Sequence, residues 1–392
     1  MKETIRLFDQ DSYARSFRSK VIFCEALKEG KFRIVLEETL FFPESGGQSS
    51  DRGCLNEVKV TDVQIEEGII YHFTDGALEE GKMAEGEICW EHRFSNMQQH
   101  SGEHIFSGTV NRLFGLNNVG FHLSDQIMTM DFDGILTDEQ LERVEWEANR
   151  AITENIEVQV SYPDPKELKT LDYRSKIEIE GQVRIVTIPG YDVCACCAPH
   201  VKRTGEIGMI KIMTVQNHKG GIRVSILCGF RALEAFREKN RILSALTGML
   251  STSQGTLPIQ MEKQRNKIYA LKGRLAEAKK KLMEYRIAEL SSDQTNILLF
   301  EKDLETEVVR NTVNVLVERH SGICGIFVEK EEGGYQYILG SRNIDCKKAA
   351  ALLRNKLGAK GGGSERMIQG LVEASKEAIE EELYGGLRDE YS

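Results

Sequence analysis

Four residues of this chain have types and spacings that could act together on one ion: His100, His104, Cys196 and His200. The first two stand in Gln98-Gln99-His100-Ser101-Gly102-Glu103-His104, the others in Cys194-Ala195-Cys196-Cys197-Ala198-Pro199-His200. Imidazoles at i and i+4 share one face of a helix, so both rings can aim a lone pair at the same point. A Cys and a His four positions apart in a tight Ala-Pro segment can close the other side. Three imidazoles and a thiolate suit Zn2+ better than magnesium or calcium, which prefer oxygen. Four protein ligands also describe a closed site that only staples a helix to a loop, since catalytic zinc usually keeps a position open. Cys194 or Cys197 could take the place of Cys196.

The pattern around these residues predicts a mixed α+β chain. Residues 1–90 alternate apolar and polar in short runs such as Phe32–Leu36, Val58–Val60 and Ile69–Phe73, broken by Gly and Asp or Asn, which predicts a small β-barrel. Residues 94–114 predict the helix of the two histidines, capped by Ser95 and ending near Gly115. A strand is expected over Ile127–Phe132. Thr137 should start a helix continued by Leu141, Val144, Ala148 and Ile152. Strands are expected at Ile156–Val160, Val183–Ile188, Met209–Val215 and Arg223–Leu227. Residues 236–292 read as a charged helical arm entered through a hinge at Gly255 and Pro258. In it Met261, Ile268, Leu271, Leu275, Ala278, Leu282 and Tyr285 fall on heptad a and d positions. Residues 293–392 read as a C-terminal α/β domain. Its expected strands are Asn296–Phe300, Asn314–Val317, Ile323–Val328 and Tyr335–Gly340. Its expected helices are Asp345–Leu357 and Met367–Tyr384, with a loop at Gly361-Gly362-Gly363 between them.

At 392 residues the chain has room for several cores, and its nine cysteines lack framework spacing. No apolar run reaches membrane-spanning length and the N-terminus has no signal-peptide core, so a cytoplasmic protein with reduced thiols is expected. The net charge of −10 argues against a uniformly basic nucleic-acid binder. It leaves room for a local basic face, and residues 261–286 hold nine Lys or Arg against three Glu.

Four landmarks in order resemble the editing domain of alanyl-tRNA synthetase and its free-standing AlaX-type relatives. Glu44-Ser45-Gly46-Gly47-Gln48 with Asp51 and Gly53 is similar to an E-x-G-G-Q-x-x-D-x-G loop. His100-x-x-x-His104 is similar to the family's H-x-x-x-H helix. Cys196-x-x-x-His200-Val201 with Thr204-Gly205-Glu206-Ile207-Gly208 is similar to its C-x-x-x-H-V-x-x-T-G-x-I-G segment, and Gly221-Ile222-Arg223 to the G-x-R strand beyond. The tail around Gly361–Gly363 and Met367–Gly370 resembles the C-terminal domain that alanyl-tRNA synthetase shares with DHH-type phosphoesterases.

The resemblance implies a long-form AlaX protein of four parts: a barrel (1–90), a zinc-binding editing domain (91–235), a coiled-coil arm (236–292) and a C-terminal domain (293–392). It implies a hydrolase that clears serine or glycine from mischarged tRNA(Ala), without a synthetase core. The catalytic region would comprise Gln48, His100, His104, Cys196 and His200, with the last four holding zinc. Glu44, Gly46, Gly47, Arg93, Thr204, Gly205 and Arg223 would contact substrate, and Gln48 would meet the substrate hydroxyl or the water. Ser101 and Glu103 are expected on the helix surface. The arm and glycine loop would select the tRNA or join two copies of the chain. Two departures bear on specificity: Cys197-Ala198-Pro199 replaces the usual G-G-T, and Glu103 precedes the second histidine.

Two other classes compete. His100-Ser101-Gly102-Glu103-His104 also spells the H-x-x-E-H signature of a zinc protease, although Cys196 and His200 stand where such enzymes place a carboxylate ligand. A zinc-containing tRNA-binding protein without catalysis is the second.

Overall fold

The computed structural model describes residues 1–175 and 182–385. The chain divides into two compact units, Met1–Ala245 and Leu246–Ser392.

The first unit begins with a closed barrel of six strands. In spatial order these are Ser16–Ala26, Phe32–Leu36, Ile69–Thr74, Val58–Glu66, Gly53–Leu55 and Met83–Ile88. Alternation puts Ile34, Leu36, Leu55, Val60, Val63 and Ile70 in a common core with Phe41 and Phe42. The strand Met83–Ile88 runs almost directly into the 25-residue helix Trp90–Phe114. This helix lies against a four-stranded antiparallel sheet ordered Ile210–His218, Gly221–Cys228, Met128–Phe132, Asn118–Leu123. A second helix, Asp138–Glu154, starts in a capping box between Thr137 and Gln140 and buries Leu141, Val144, Ala148 and Ile152. A small sheet of Gln159–Ser161, Ile185–Ile188 and Asp192–Ala195 presents the second ligand segment.

The histidine helix starts earlier than the sequence suggests. Its N-cap is Cys89, not Ser95, and Ser95 Oγ instead accepts a hydrogen bond from Arg231 Nε at 2.7 Å. The early start places Arg93 inside the helix, where tertiary contacts hold it. At the other end Gly115 takes a left-handed cap with φ 69°. The expected strand Ile156–Val160 is reduced to Gln159–Ser161, because Glu157 forms an isolated bridge with Arg203.

The second unit is a five-stranded sheet ordered Ile297–Lys302, Cys324–Glu329, Tyr335–Gly340, Met367–Val372, Lys360–Gly363, covered by helices. Three expectations fail here. Asn314–Val317 is not a strand but lies in the helix Thr306–Arg319, whose buried Val309, Thr312, Val313 and Leu316 follow helical spacing. That period overrides the strand preference of β-branched residues. Met367–Val372 is a central strand, so the last helix is only Lys376–Gly385. Gly361–Gly363 is an edge strand rather than a loop, and a Cβ at Gly361 would lie 2.3 Å from Gln369 O.

The long helix Leu257–Glu289 buries Met283 and Ile287, neither on the expected heptad seam. Met261, Ile268, Leu271, Leu275 and Leu282 are each more than half exposed. Among the described residues no helix is long and apolar enough to cross a membrane.

Candidate metal centre

One ligand atom from each of His100, His104, Cys196 and His200 lies within 4.8 Å of the other three. Nε2 of His100 and Nε2 of His200 are each 3.4 Å from Cys196 Sγ. The helix supplies two rings on one face, and the turn after the strand Asp192–Ala195 brings the other two groups back over them.

The opposite nitrogen of every ring is engaged. His100 Nδ1 lies 2.8 Å from Gln48 Oε1, His104 Nδ1 2.8 Å from Asp192 Oδ2, and His200 Nδ1 3.0 Å from Ser101 Oγ. With Nδ1–H donating in each case, every Nε2 keeps its lone pair for the cluster, the arrangement a metal-binding imidazole needs. Burial pushes the His200 pKa well below its ordinary value, and the crowding of His104 and His100 around it further disfavours a positive ring, so it stays neutral. Burial, followed by Cys197, pushes the Cys196 thiol well above its usual range. A dication would reverse that preference and expel the thiol proton. The donor set fits zinc on the chemistry of its atoms.

Ser101 and Glu103 do not lie on the helix surface; they are 0% and 1% exposed. Ser101 also accepts a hydrogen bond from Val201 N at 3.2 Å. Glu103 Oε1 accepts from Ser107 Oγ at 2.8 Å and Asn118 Nδ2 at 2.6 Å, with Oε2 3.9 Å from His104 Nε2. Asp192 in turn accepts two hydrogen bonds from Arg174. Burial opposes the Arg174 charge, but the hydrogen bond and charge of Asp192 outweigh it and raise the guanidinium pKa.

The Gly-Gly-Gln turn borders this cluster. Gly46 and Gly47 have φ of 60° and 80°, values that favour glycine. A Cβ at Gly47 would meet Phe121 O at 2.7 Å, and Gly47 O accepts from Leu123 N at 2.7 Å. Ser45 Oγ is 3.7 Å from Cys197 Sγ, so the turn touches the substituted part of the ligand loop. Gln48 is fully buried, its Oε1 held by His100. Its Nε2 has no hydrogen-bond partner among the described residues.

Other expected substrate contacts are placed differently. Arg93 is 0% exposed and cannot reach a phosphate: it pairs with buried Asp51 and donates to Ser12 O and Leu40 O. Thr204 is also fully buried, its hydroxyl donating to Ala151 O at 2.6 Å and accepting from Ile156 N at 2.8 Å. Gly205 packs against Asn155, where a Cβ would meet Oδ1 at 2.6 Å. Glu44 is exposed and accepts from Gln64. Arg223 is partly exposed and grips Asp131 through Nε at 2.6 Å and Nη2 at 2.7 Å.

Sequence reasoning assigned no role to Asp192 or Arg174 and misplaced Ser101. Asp192 stood beside the ligand segment, but nothing in its spacing pointed to His104.

A family profile described as the threonyl and alanyl tRNA synthetase second additional domain matches residues 183–225, which contain Cys196 and His200. A second, described as tRNA synthetases class II (A), matches residues 12–93, the barrel region. Alanyl-tRNA editing protein AlaX-L of Pyrococcus horikoshii is 27% identical over 95% of this chain and 96% of its own length. The chain resembles the AlaX-type alanyl-tRNA editing proteins. Alanyl-tRNA editing protein Aarsd1 of Rattus norvegicus is 28% identical over 98% of this chain and 97% of its own. Alanine--tRNA ligase of Ignicoccus hospitalis is 26% identical over 96% of this chain but only 42% of the ligase. The AlaX-type likeness thus runs through both units, including the ligand segments.

Proposed function

We propose that the chain is a free-standing aminoacyl-tRNA deacylase that hydrolyses the ester joining serine or glycine to tRNA(Ala). The observation that carries this reading is the junction at Gln48. Its Oε1 fixes His100 while its Nε2, buried and without a partner among the described residues, remains a donor for an oxygen brought to the cluster. A buried donor left unpaired is costly, and a substrate oxygen would satisfy it. His100, His104, Cys196 and His200 would hold Zn2+, which would supply polarisation of the ester carbonyl and a more acidic water. Gly46, whose added Cβ would meet only Cys197 Sγ at 3.7 Å, would leave room for the ester, while Gly47 lets the turn pack closely on Phe121. A site that pairs with a hydroxyl can discriminate strongly against an analogue lacking it, so a hydrogen-bonding group at Gln48 suits recognition of serine over alanine. Gln48 is thus both an orienter of His100 and a substrate donor, rather than a hydroxyl reader alone.

The four-part division at 90, 235 and 292 is part of this proposal. The exposed basic stretch 261–286 would contact tRNA(Ala) away from its shared CCA end, and the apolar seam beside it would allow a homodimer. The protease reading is weaker because Glu103 Oε1 is tied to Ser107 and Asn118.

The test is hydrolysis of Ser-tRNA(Ala), Gly-tRNA(Ala) and Ala-tRNA(Ala) by the full chain, as purified, after chelation and after zinc is restored, with casein as a protease control. Loss of serine or glycine with alanine spared, abolished by chelation and recovered with zinc, is expected. Intact aminoacyl esters at micromolar zinc-loaded protein that still binds tRNA would establish the non-catalytic alternative.

A further inference from the structure

The Nδ1 atoms of the three imidazoles meet unlike partners, and of these three partners Asp192 alone is charged. Gln48 and Ser101 are neutral; Asp192, against His104, is a carboxylate whose side chain is 1% exposed. Both Asp192 oxygens are also gripped by Arg174, Oδ1 from Nε at 2.7 Å and Oδ2 from Nη2 at 2.9 Å. Arg174 belongs to none of the landmark motifs, yet its backbone is sewn to the strand leading into Cys196. Arg174 N donates to Val193 O at 2.8 Å, and Ala195 N donates to Arg174 O at 2.9 Å. The close approach is possible because the helix has no side chain at Gly108, where a Cβ would lie 2.3 Å from Tyr191 O.

We propose that Asp192, clamped by Arg174, is the positioning residue that sets the zinc affinity of the centre through the ring of His104. A carboxylate accepting from Nδ1–H fixes the ring's tautomer and angle and makes Nε2 a better electron donor than a neutral partner does. The bidentate guanidinium holds that carboxylate in one rotamer and supplies the opposite charge a buried carboxylate requires. Removing Arg174 therefore acts on zinc through two intervening residues, and removing Asp192 acts through one. Glutamine and serine at the other rings give an internal comparison, since they orient without charge.

This inference rests on the reading that the cluster holds zinc. The experiment titrates the full chain with Zn2+ against a chromophoric chelator and records the absorption bands of the Co2+-substituted protein. Asp192→Ala is expected to bind zinc about 10- to 100-fold more weakly, the usual effect of losing such a partner. Asp192→Asn, which keeps an acceptor oxygen, should lose less. Arg174→Ala should also lose affinity, and adding it to Asp192→Asn should have less than the summed effect. If Asp192→Ala fails to fold, Asp192→Asn and Arg174→Ala carry the test. Zinc affinities within twofold of the unsubstituted chain, with unchanged Co2+ bands, would overturn the proposal. A lower melting temperature of the metal-free variants without weaker zinc binding would show a mere staple and overturn it too. Failure of the unsubstituted chain to bind zinc would sink the metal reading itself, so the two failures are distinguishable.

Discussion

Replacing Arg93 by alanine should unfold the first unit more easily rather than weaken a contact with RNA. The guanidinium is 0% exposed and Asp51 is 1% exposed. Arg93 Nε lies 3.0 Å from both Asp51 oxygens, Nη1 lies 3.1 Å from Ser12 O and Nη2 lies 2.6 Å from Leu40 O. Asp51 Oδ2 also accepts from Phe42 N at 2.7 Å, so the pair ties the histidine helix to the barrel. Removing one partner of a buried ion pair costs about 3–5 kcal/mol, because the other charge stays buried and uncompensated. For a unit spanning Met1–Ala245 this corresponds to a melting-temperature fall on the order of 10 °C. The assay is thermal unfolding by circular dichroism beside tRNA binding at fixed salt. Replacing the pair together, Arg93→Met with Asp51→Leu, should recover part of the loss, since no buried charge is left behind. An Arg93→Ala protein that melts with the parent but loses tRNA affinity would refute the structural role and restore the phosphate contact.

Two other outcomes are expected. His72 is buried in the barrel between Thr39 Oγ1 and Ile34 O, and burial lowers its pKa from the ordinary 6.5 to about 4. The folded state therefore favours the neutral ring, with stability full above pH 6.5 and lost as pH falls towards 4. Chemical denaturation should show about 2 kcal/mol lost between pH 7 and pH 5 that His72→Gln does not lose; equal losses would remove His72 as the cause. Gly108→Ala sets a gain of about 1 kcal/mol in helix propensity against a Cβ that would lie 2.3 Å from a backbone oxygen. Overpacking of that kind costs about 1–3 kcal/mol, so a lower melting temperature and weaker zinc binding should follow. A raised melting temperature with unchanged zinc binding would show that the loop at Tyr191 gives way freely.

Much of the local structure is legible in the chain because its rules span one or two turns of backbone. The i, i+4 spacing of His100 and His104, the Thr137 capping box and the Gly115 terminus all act within five residues, and each is realised. The pairing of that helix with Cys196 and His200 was legible through donor chemistry, since few ions accept such a mixed set. Local rules failed where a longer-range contact competed. Asn314–Val317 has strand-forming residues but a helical stripe facing the core, and Met367–Val372 is drawn into the sheet by strands on both sides. Which groups orient the centre was decided only by the tertiary structure. Gln48 reaches His100 across 52 positions, Asp192 reaches His104 across 88, and Ser101 reaches His200 across 99. The same folding turned Arg93 from a candidate phosphate ligand into a buried clamp on Asp51, 42 positions away. No spacing rule extends that far, because such contacts depend on how whole elements pack. In a close-packed interior, a buried polar group must find its partner from whichever segment the packing brings near.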